Sequence, residues 1–225
     1  MRNGHTMYET IIFDLDGTLL DTLDDLTDAT NAALVKCGLK SRTRDEVRSF
    51  VGNGIVKLME RAVGEEGKAY HAEALAGFKS YYAAHCADKT APYEGGLSLL
   101  KTLQAQGIKT AVVSNKVDFA VKSLAKTYFD GLLLSAVGED EAAGIRKKPA
   151  PDSLLAVMKE LSATAETTVY VGDSEVDIQT AKNAGVDCIC VTWGFREKAY
   201  LEEEGGKLFV DTPTEILDYT KGAGI

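Results

Sequence analysis

An alternation of short apolar runs with segments of helical length constrains the fold more than any other feature. The apolar runs cover residues 10–13, 108–113, 132–134, 168–171, 188–191 and 208–210, and segments with helical spacing separate the later runs. Strands that alternate with helices in this way form a parallel sheet with helices on both faces. The pattern therefore predicts a doubly wound, Rossmann-like α/β fold.

The first apolar run ends abruptly at Asp14, and Asp16, Gly17 and Thr18 follow it. An Asp-Gly pair between apolar runs is also the strongest short signal for a β-hairpin. The later strands exclude the hairpin, because the first strand of a parallel sheet must return through a crossover. We therefore expect these carboxylates at the carboxyl edge of the sheet, where ligands bind.

Residues 22–90 show helical spacing of apolar side chains and carry no convincing strand. Thr43 and Glu46 form a capping-box signature for one helix, and the tripeptide Gly52-Asn53-Gly54 separates that helix from the next. An all-helical unit is thus inserted directly after the first strand. We predict a helical domain over residues 21–90 and an α/β core formed by residues 1–20 and 91–225.

The charge balance disfavours one class of partner. The chain of 225 residues carries 34 acidic and 25 basic side chains, for a net charge of −9. Nucleic-acid binding needs a concentrated basic surface, which this balance opposes. An anionic substrate must also meet a local positive site, because the overall field repels it.

Localisation is constrained by what the sequence lacks. No apolar stretch is long enough to span a bilayer, and residues 1–8 have no apolar core of a secretion signal. The four cysteines form no CxxC pair, which favours reduced packing side chains over a metal site. We expect a cytoplasmic protein, monomeric or dimeric, that binds neither membranes nor nucleic acid.

Side chains that suit phosphoryl transfer follow four of the predicted strands. They are Asp14 with Asp16, Ser114, Lys148 and Asp173. Because the carboxyl ends of parallel strands share one edge, we expect these groups to converge. Crowded carboxylates repel one another unless a cation is present, and oxygen ligands suit Mg²⁺. A carboxylate nucleophile, a hard cation, a hydroxyl and a lysine together describe a phosphoryl-transfer site.

The same residues resemble the four motifs of the haloacid dehalogenase superfamily. The matching segments are Asp14-Leu15-Asp16-Gly17-Thr18-Leu19, Ser114-Asn115, Lys148-Pro149 and Gly172-Asp173-Ser174-Glu175-Val176-Asp177, in the family's order. The resemblance covers essentially the whole chain. It implies that the inserted helices form a mobile cap that closes over the substrate.

The resemblance also implies a role for each matching residue. Asp14 would be the nucleophile that forms an aspartyl-phosphate, and Asp16 would act first as general acid and then as general base. Asp14, the backbone carbonyl of Asp16, and Asp173 would hold Mg²⁺. Ser114 and Lys148 would bind the phosphoryl oxygens and stabilise the nucleophile.

Three further positions near these motifs receive weaker assignments. Asp177 would hold a metal-bound water or position Lys148. Asn115, next to Ser114, is expected to contact the substrate. Lys147 is the alternative to Lys148, although the Lys-Pro register favours Lys148.

The cap sequence bears on the substrate. Phe50-Val51-Gly52-Asn53-Gly54, with Leu58-Met59-Glu60-Arg61-Ala62, is similar to the cap of bacterial phosphoglycolate phosphatases, and Val191-Thr192-Trp193-Gly194-Phe195 fits the same group. This resemblance implies that Gly52, Asn53 and Gly54 bind a small phosphorylated acid, although the tripeptide also suits a plain helix-breaking linker. Arg48 or Lys57 could help to bind the carboxylate of such a substrate, but we expect each to be an exposed helix charge.

Several functions remain open at this point. Asp16 favours phosphate esters over halides, because a departing alkoxide needs a proton and a halide does not. A Mg²⁺-dependent phosphatase acting on 2-phosphoglycolate is the leading hypothesis. The alternatives are a sugar-phosphate mutase of the same superfamily, a phosphatase for nucleotides or pyrophosphate, and a receiver-like signalling module phosphorylated on aspartate.

Overall fold

A computed structural model describes residues 7–140 and 144–220 of the protein. The strands are β1 (Thr10–Phe13), β2 (Leu20–Asp21), β3 (Ala91–Pro92), β4 (Lys109–Val117), β5 (Ser135–Glu139), β6 (Thr168–Gly172), β7 (Asp187–Val191) and β8 (Leu208–Val210). The α-helices are α1 (Leu23–Lys36), α2 (Arg44–Phe50), α3 (Ile55–Val63), α4 (His71–His85), α5 (Gly96–Ala105), α6 (Asp118–Phe129), α7 (Asp152–Glu160), α8 (Glu175–Ala184) and α9 (Lys198–Glu203). Short 3₁₀ helices cover Lys68–Tyr70, Ala165–Thr167 and Pro213–Tyr219.

Six strands form one parallel sheet in the order β5-β4-β1-β6-β7-β8. The predicted doubly wound fold is confirmed, and the hairpin is excluded because β1 pairs in parallel with both β4 and β6. The strand order reverses at β1, since the chain continues to β4 on one side and to β6 on the other. Such a reversal opens a crevice at the carboxyl ends of the strands.

Alternate side chains of the central strands enter two hydrophobic layers. Ile12 on β1 packs with residues of α7, such as Leu154, on one face of the sheet. Ile11 and Phe13 belong to the layer on the other face. That second layer continues into helices α1–α4, where Phe78 is fully buried. The helices α1–α4, called the cap below, therefore share a continuous apolar core with the sheet.

Local sequence signals explain where two site-forming helices begin. The Glu46 N–H donates to the Thr43 hydroxyl at 3.2 Å, and the Thr43 N–H donates to the Glu46 carboxylate at 2.7 Å. This reciprocal pair is the predicted capping box at the start of α2. A second capping box joins Ser174 and Asp177 at the start of α8 and so fixes an acidic residue of the site.

The predicted strand at residues 132–134 is wrong. The strand is Ser135–Glu139, and the leucines before it form the turn that leads into it. Because β5 is an edge strand that pairs only with β4, its side chains are only partly buried and need not be continuously apolar. The apolar run at Leu132 and Leu133 instead packs against the core from the turn.

Strand β4 is longer than the sequence suggested. It was expected to end at Val113, but it continues through Ser114, Asn115 and Lys116 to Val117, with a register irregularity after Val113. The polar residues thus belong to the strand itself. This extension carries three polar side chains along the carboxyl edge of the sheet.

A two-stranded antiparallel ladder, β2 with β3, joins the two chain segments that enter and leave the cap. Each strand has two residues, too few to produce a sequence pattern. The ladder lies at the predicted boundary of the helical domain, and the division into residues 21–90 and the remainder stays a prediction. The predicted core range also includes residues 1–6, 141–143 and 221–225, which lie outside the described part of the chain.

The described residues contain no helix with the length and apolar character that a bilayer crossing requires. The four cysteines are all free thiols. Cys86 and Cys190 are buried, while Cys37 and Cys188 are half-buried.

Candidate active site

Asp14 lies at the carboxyl end of the central strand and is 8% exposed. Its N–H donates to the Val171 carbonyl at 2.8 Å, which continues the sheet pairing one residue past β1. Its carboxylate accepts a 2.7 Å hydrogen bond from the Leu15 N–H. Burial raises the pKa of Asp14 to about 6, against the opposing charge of Lys148. The sheet therefore holds a carboxylate of fixed orientation in a largely dry environment.

Lys148 is the cation that faces Asp14. Its ammonium lies 3.0 Å from the Asp14 carboxylate and 2.7 Å from that of Asp177, and it donates to the Tyr170 hydroxyl at 2.9 Å. Burial opposes the charged form, but Asp14 and Asp177 outweigh it and raise the pKa of Lys148 well above its ordinary value. Lys148 therefore carries a permanent charge, whereas its neighbour Lys147 is only half-buried.

Three buried carboxylates, those of Asp14, Asp173 and Asp177, each place an oxygen within 4.8 Å of the other two. Burial and the charges of the other two carboxylates raise the pKa of Asp173 well above its ordinary value. The donor set is oxygen only, which suits a hard divalent cation such as Mg²⁺. Bound there, a cation would offset the repulsion among the carboxylates.

Asp177 is more heavily engaged than the other two acids. One of its oxygens contacts Lys148, and the other accepts hydrogen bonds from the Ser174 N–H at 3.0 Å and the Ser174 hydroxyl at 2.6 Å. Its side chain is fully buried. The carboxylate of Asp177 thus ties the lysine to the start of α8.

Two glycines enclose Asp173. A Cβ at Gly17 would lie 2.3 Å from the Asp173 carboxylate, and one at Gly194 would lie 2.2 Å from the Asp173 Cβ. Gly17 also has a φ of +82°, in the left-handed region. The Trp193 indole N–H donates to the Thr18 carbonyl at 3.1 Å and holds this bend against the loop after β7. The loop of residues 193–197 is therefore part of the site.

Asp16 is not part of the acidic cluster and pairs with a lysine that the sequence prediction missed. The Lys116 ammonium lies 2.9 and 3.2 Å from the two Asp16 carboxylate oxygens and also donates to the Tyr82 hydroxyl. Lys116 lines the same cavity as Asp14, Asp16 and Ser114. A lysine two residues after Ser114 in an apolar strand is the signal that could have revealed it, because alternate strand residues point the same way.

Asn115 connects three parts of the site through its amide. Its Nδ2 donates to the Gly52 carbonyl at 3.1 Å and to the Lys148 carbonyl at 3.0 Å, and its Oδ1 accepts from the Lys148 N–H at 2.8 Å. Both N–H bonds of the amide are therefore committed within the protein. Asn115 therefore connects β4 to the backbone at Lys148 and to the cap at Gly52.

Within the predicted cap loop, Gly52 and Gly54 line the cavity. The Asn53 side chain instead accepts a 2.8 Å hydrogen bond from Arg61 on α3. Arg61 also donates to the Phe50 carbonyl at 2.7 Å, which closes the turn between α2 and α3. The structure thus brings the glycine backbone into the site and turns the asparagine amide towards the cap interior.

Comparison with known proteins assigns the family. The profile of the haloacid dehalogenase-like hydrolases matches residues 11–191. The chain belongs to this family. A phosphoglycolate phosphatase from Pseudomonas putida is 33% identical over 219 residues, which cover 94% of this chain and 79% of that protein. Another from Pseudomonas fluorescens is 34% identical over 215 residues, covering 92% and 78% respectively.

A solved structure agrees with the sequence comparison. A protein from Lactobacillus delbrueckii subsp. bulgaricus, proposed to be a phosphoglycolate phosphatase, superposes with a TM-score of 0.88 and 38% identity. The superposition covers 97% of this chain and 100% of the other. The inserted all-helical cap is typical of the family.

In this haloacid dehalogenase-like hydrolase, two arginines clasp the cap to the loop of residues 193–197. Arg48 on α2 donates to the Phe195 and Gly194 carbonyls at 2.8 and 3.0 Å. Arg196 donates in return to the Val51 and Arg48 carbonyls at 2.7 and 3.0 Å. Arg48 was expected to be an exposed helix charge, but it is a half-buried part of this clasp.

The clasp reaches a residue of the acidic cluster through the same loop. The Phe195 N–H donates to the Asp173 carboxylate at 2.7 Å, while the Phe195 carbonyl accepts from Arg48. Lys57, by contrast, is exposed and pairs with Glu60 at 3.0 Å, as the sequence suggested. The contact of the cap with the α/β core and the orientation of Asp173 therefore involve the same loop.

We expect Gly17→Ala to lower activity by about 100-fold or more, because the new Cβ displaces the Asp173 carboxylate. Gly107→Ala is the matched control, since Gly107 has a similar φ of +73° but open space around its Cβ position. Both variants incur the backbone strain of about 1 kcal/mol, so the difference between them isolates the clash. Equal activities of the two variants, measured on an aryl phosphate, would contradict the role of Gly17.

Proposed function

We propose that the protein is a Mg²⁺-dependent phosphatase that hydrolyses a small phosphate monoester, with 2-phosphoglycolate as the leading substrate. The observation that carries the proposal is the buried Asp14 carboxylate, held between the Lys148 ammonium and the acidic cluster. A carboxylate that is oriented and largely dry, with a fixed cation at its side, is suited to attack an electrophile of high negative charge.

In the first step, an Asp14 oxygen attacks phosphorus in line and the bond from phosphorus to the ester oxygen breaks. Asp16, which contacts Lys116 and not Lys148, gives its proton to the departing oxygen. The products are a free alcohol and an aspartyl-phosphate on Asp14. In the second step, Asp16 takes a proton from water as that water attacks phosphorus, which releases inorganic phosphate and regenerates Asp14.

Other residues bind and orient the phosphoryl group. Lys148 and the Ser114 hydroxyl, both of which are buried, are assigned to its oxygens. Asp14, Asp173 and the backbone carbonyl of Asp16 would hold Mg²⁺, which supplies positive charge for the transferred phosphoryl group. Asp177 keeps Lys148 in place through their 2.7 Å contact.

Two observations support a small substrate. Apolar cap residues, among them Leu26, Ile55 and Leu58, line the same cavity as Asp14 and Asp16. The curated relatives in Pseudomonas are named phosphoglycolate phosphatases. A cap that lies this close to the reacting groups favours a leaving group of few atoms and excludes water during attack.

The test is a panel of phosphate esters assayed with Mg²⁺ for release of inorganic phosphate. The panel contains 2-phosphoglycolate, a nucleoside monophosphate, pyrophosphate and a hexose phosphate. We expect the highest kcat/KM with 2-phosphoglycolate. A strong preference for a nucleotide or pyrophosphate would refute the substrate, and isomerisation of the hexose phosphate would indicate a mutase. Stable labelling by acetyl phosphate without turnover would indicate a signalling module.

Removal of divalent cations is expected to lower phosphatase activity by about 100-fold or more, because the cation supplies much of the transition-state charge stabilisation. Added Mg²⁺ should restore activity and raise Tm, since a ligand at 100 times its Kd stabilises the folded state by about 2.7 kcal/mol. Asp173→Asn should lose the Mg²⁺-dependent rise in Tm. Full activity after dialysis against EDTA would contradict the metal assignment.

A further inference from the structure

Lys116 is a buried lysine for which the proposed chemistry provides no role. It is 5% exposed, and its ammonium uses three contacts, two to Asp16 and one to the Tyr82 hydroxyl. The ammonium also lies 4.6 Å from the centre of the Tyr82 ring. Burying an ammonium is costly unless it is paired, so this position is maintained by specific partners.

The two lysines of the site contact different reacting groups, one beside the nucleophile and the other beside the general acid. Lys148 contacts the nucleophile Asp14 at 3.0 Å, on the side of the transferred phosphoryl group. Lys116 contacts the general acid Asp16 at 2.9 Å. Because the leaving oxygen must approach Asp16 to be protonated, Lys116 lies beside the leaving group.

Arg196 is the other cation among the described residues that line the cavity. Its guanidinium is committed to the Arg48 and Val51 carbonyls and to Glu175 at 3.2 Å. The cap residues that line the cavity are apolar or glycine. The Lys116 ammonium is also paired, but its partner is Asp16 itself, so a negative charge on a leaving group held at Asp16 would lie beside Lys116.

We propose that Lys116 is a specificity-determining residue that binds a carboxylate carried by the leaving group. In 2-phosphoglycolate a single carbon separates the ester oxygen from the carboxylate. With the ester oxygen at Asp16, the substrate carboxylate falls within reach of the ammonium that Asp16 already contacts. The proposal rests on the proposed function, because it assumes that Asp16 protonates the leaving oxygen.

The test compares pairs of substrates in which a methyl group replaces the carboxylate. The first pair is 2-phosphoglycolate and ethyl phosphate, and the second is 2-phospholactate and isopropyl phosphate. We expect Lys116→Met to reduce the preference for the acid over its methyl counterpart, in kcat/KM, by about 100-fold. Lys116→Arg retains the cation and should keep a clear preference.

Tyr82→Phe is the control, because it removes one hydrogen bond to Lys116 and leaves the charge. It should change the preference by less than about threefold. Equal losses on both members of a pair in Lys116→Met, in protein whose Tm shows that it is folded, would overturn the proposal. A wild-type preference for 2-phospholactate alone, abolished in Lys116→Met, would refute phosphoglycolate as substrate and support Lys116. A wild-type enzyme without preference in either pair would overturn both.

Discussion

Asp14→Asn is expected to abolish phosphatase activity, with a loss of about 10⁴-fold or more, while the protein stays folded. A carboxamide is a poor nucleophile towards phosphorus, so the proposed covalent step would be lost. The fold should tolerate the change because the amide oxygen can still accept the hydrogen bond from the Leu15 N–H. Activity on 2-phosphoglycolate and on an aryl phosphate, together with Tm, measures both effects.

The stability of this variant carries additional information. Burial raises the pKa of Asp14 to about 6, so the charged carboxylate is disfavoured in the folded protein at neutral pH. Replacing it with a neutral amide removes that cost, and Tm in EDTA should be equal to or above that of the wild type. Substantial Mg²⁺-dependent turnover by Asp14→Asn would show that another group is the nucleophile.

Lys148→Met is expected to reduce both stability and activity. Asp14 and Asp177 would lose their common counter-charge, and Asp177 has no exposure to water through which to recover it. Removing one partner of a buried ion pair costs about 3–5 kcal/mol. For a chain of this size, that loss corresponds to a fall in Tm of about 10 °C. Activity should fall by about 10³-fold, because Lys148 is the fixed cation proposed to bind the phosphoryl oxygens.

The neighbouring Lys147→Met provides the matched control. Lys147 is half-buried, whereas Lys148 is 4% exposed, so the control changes the same residue type one position away. We expect its free energy of unfolding to change by less than about 1 kcal/mol and its activity to be retained. A greater loss of activity in Lys147→Met than in Lys148→Met would show that the assignment of the lysine is wrong.

The part of the site that sequence could predict consists of residues near the carboxyl ends of parallel strands. Asp14, Ser114 and Asp173 lie far apart along the chain, but β1, β4 and β6 are neighbours in one sheet. Recognising the strands is then enough to place their carboxyl ends together. The capping box at Thr43 was predictable for the complementary reason that all of its contacts are local.

The site residues that the sequence did not reveal owe their positions to the length of a strand or to contacts between distant parts of the chain. Lys116 was overlooked because β4 was expected to end at Val113, and its place beside Ser114 follows only from the longer strand. Arg48 and Arg196 are 148 positions apart and bond to backbone carbonyls, which every residue possesses. No local pattern specifies such a pair, so helix spacing alone suggested that Arg48 would be exposed.

The arginine clasp has a kinetic consequence for an enzyme of this design. Separating the cap from the loop of residues 193–197 breaks four hydrogen bonds, two from each arginine. A half-separated state would keep only some of these four hydrogen bonds, so the clasp favours a concerted motion over gradual fraying. Because the Phe195 N–H also bonds to Asp173, we expect the same motion to loosen the hold on the Asp173 carboxylate. If products leave by this opening of the cap, their release and the loss of the fixed Asp173 orientation would occur together, with a single rate.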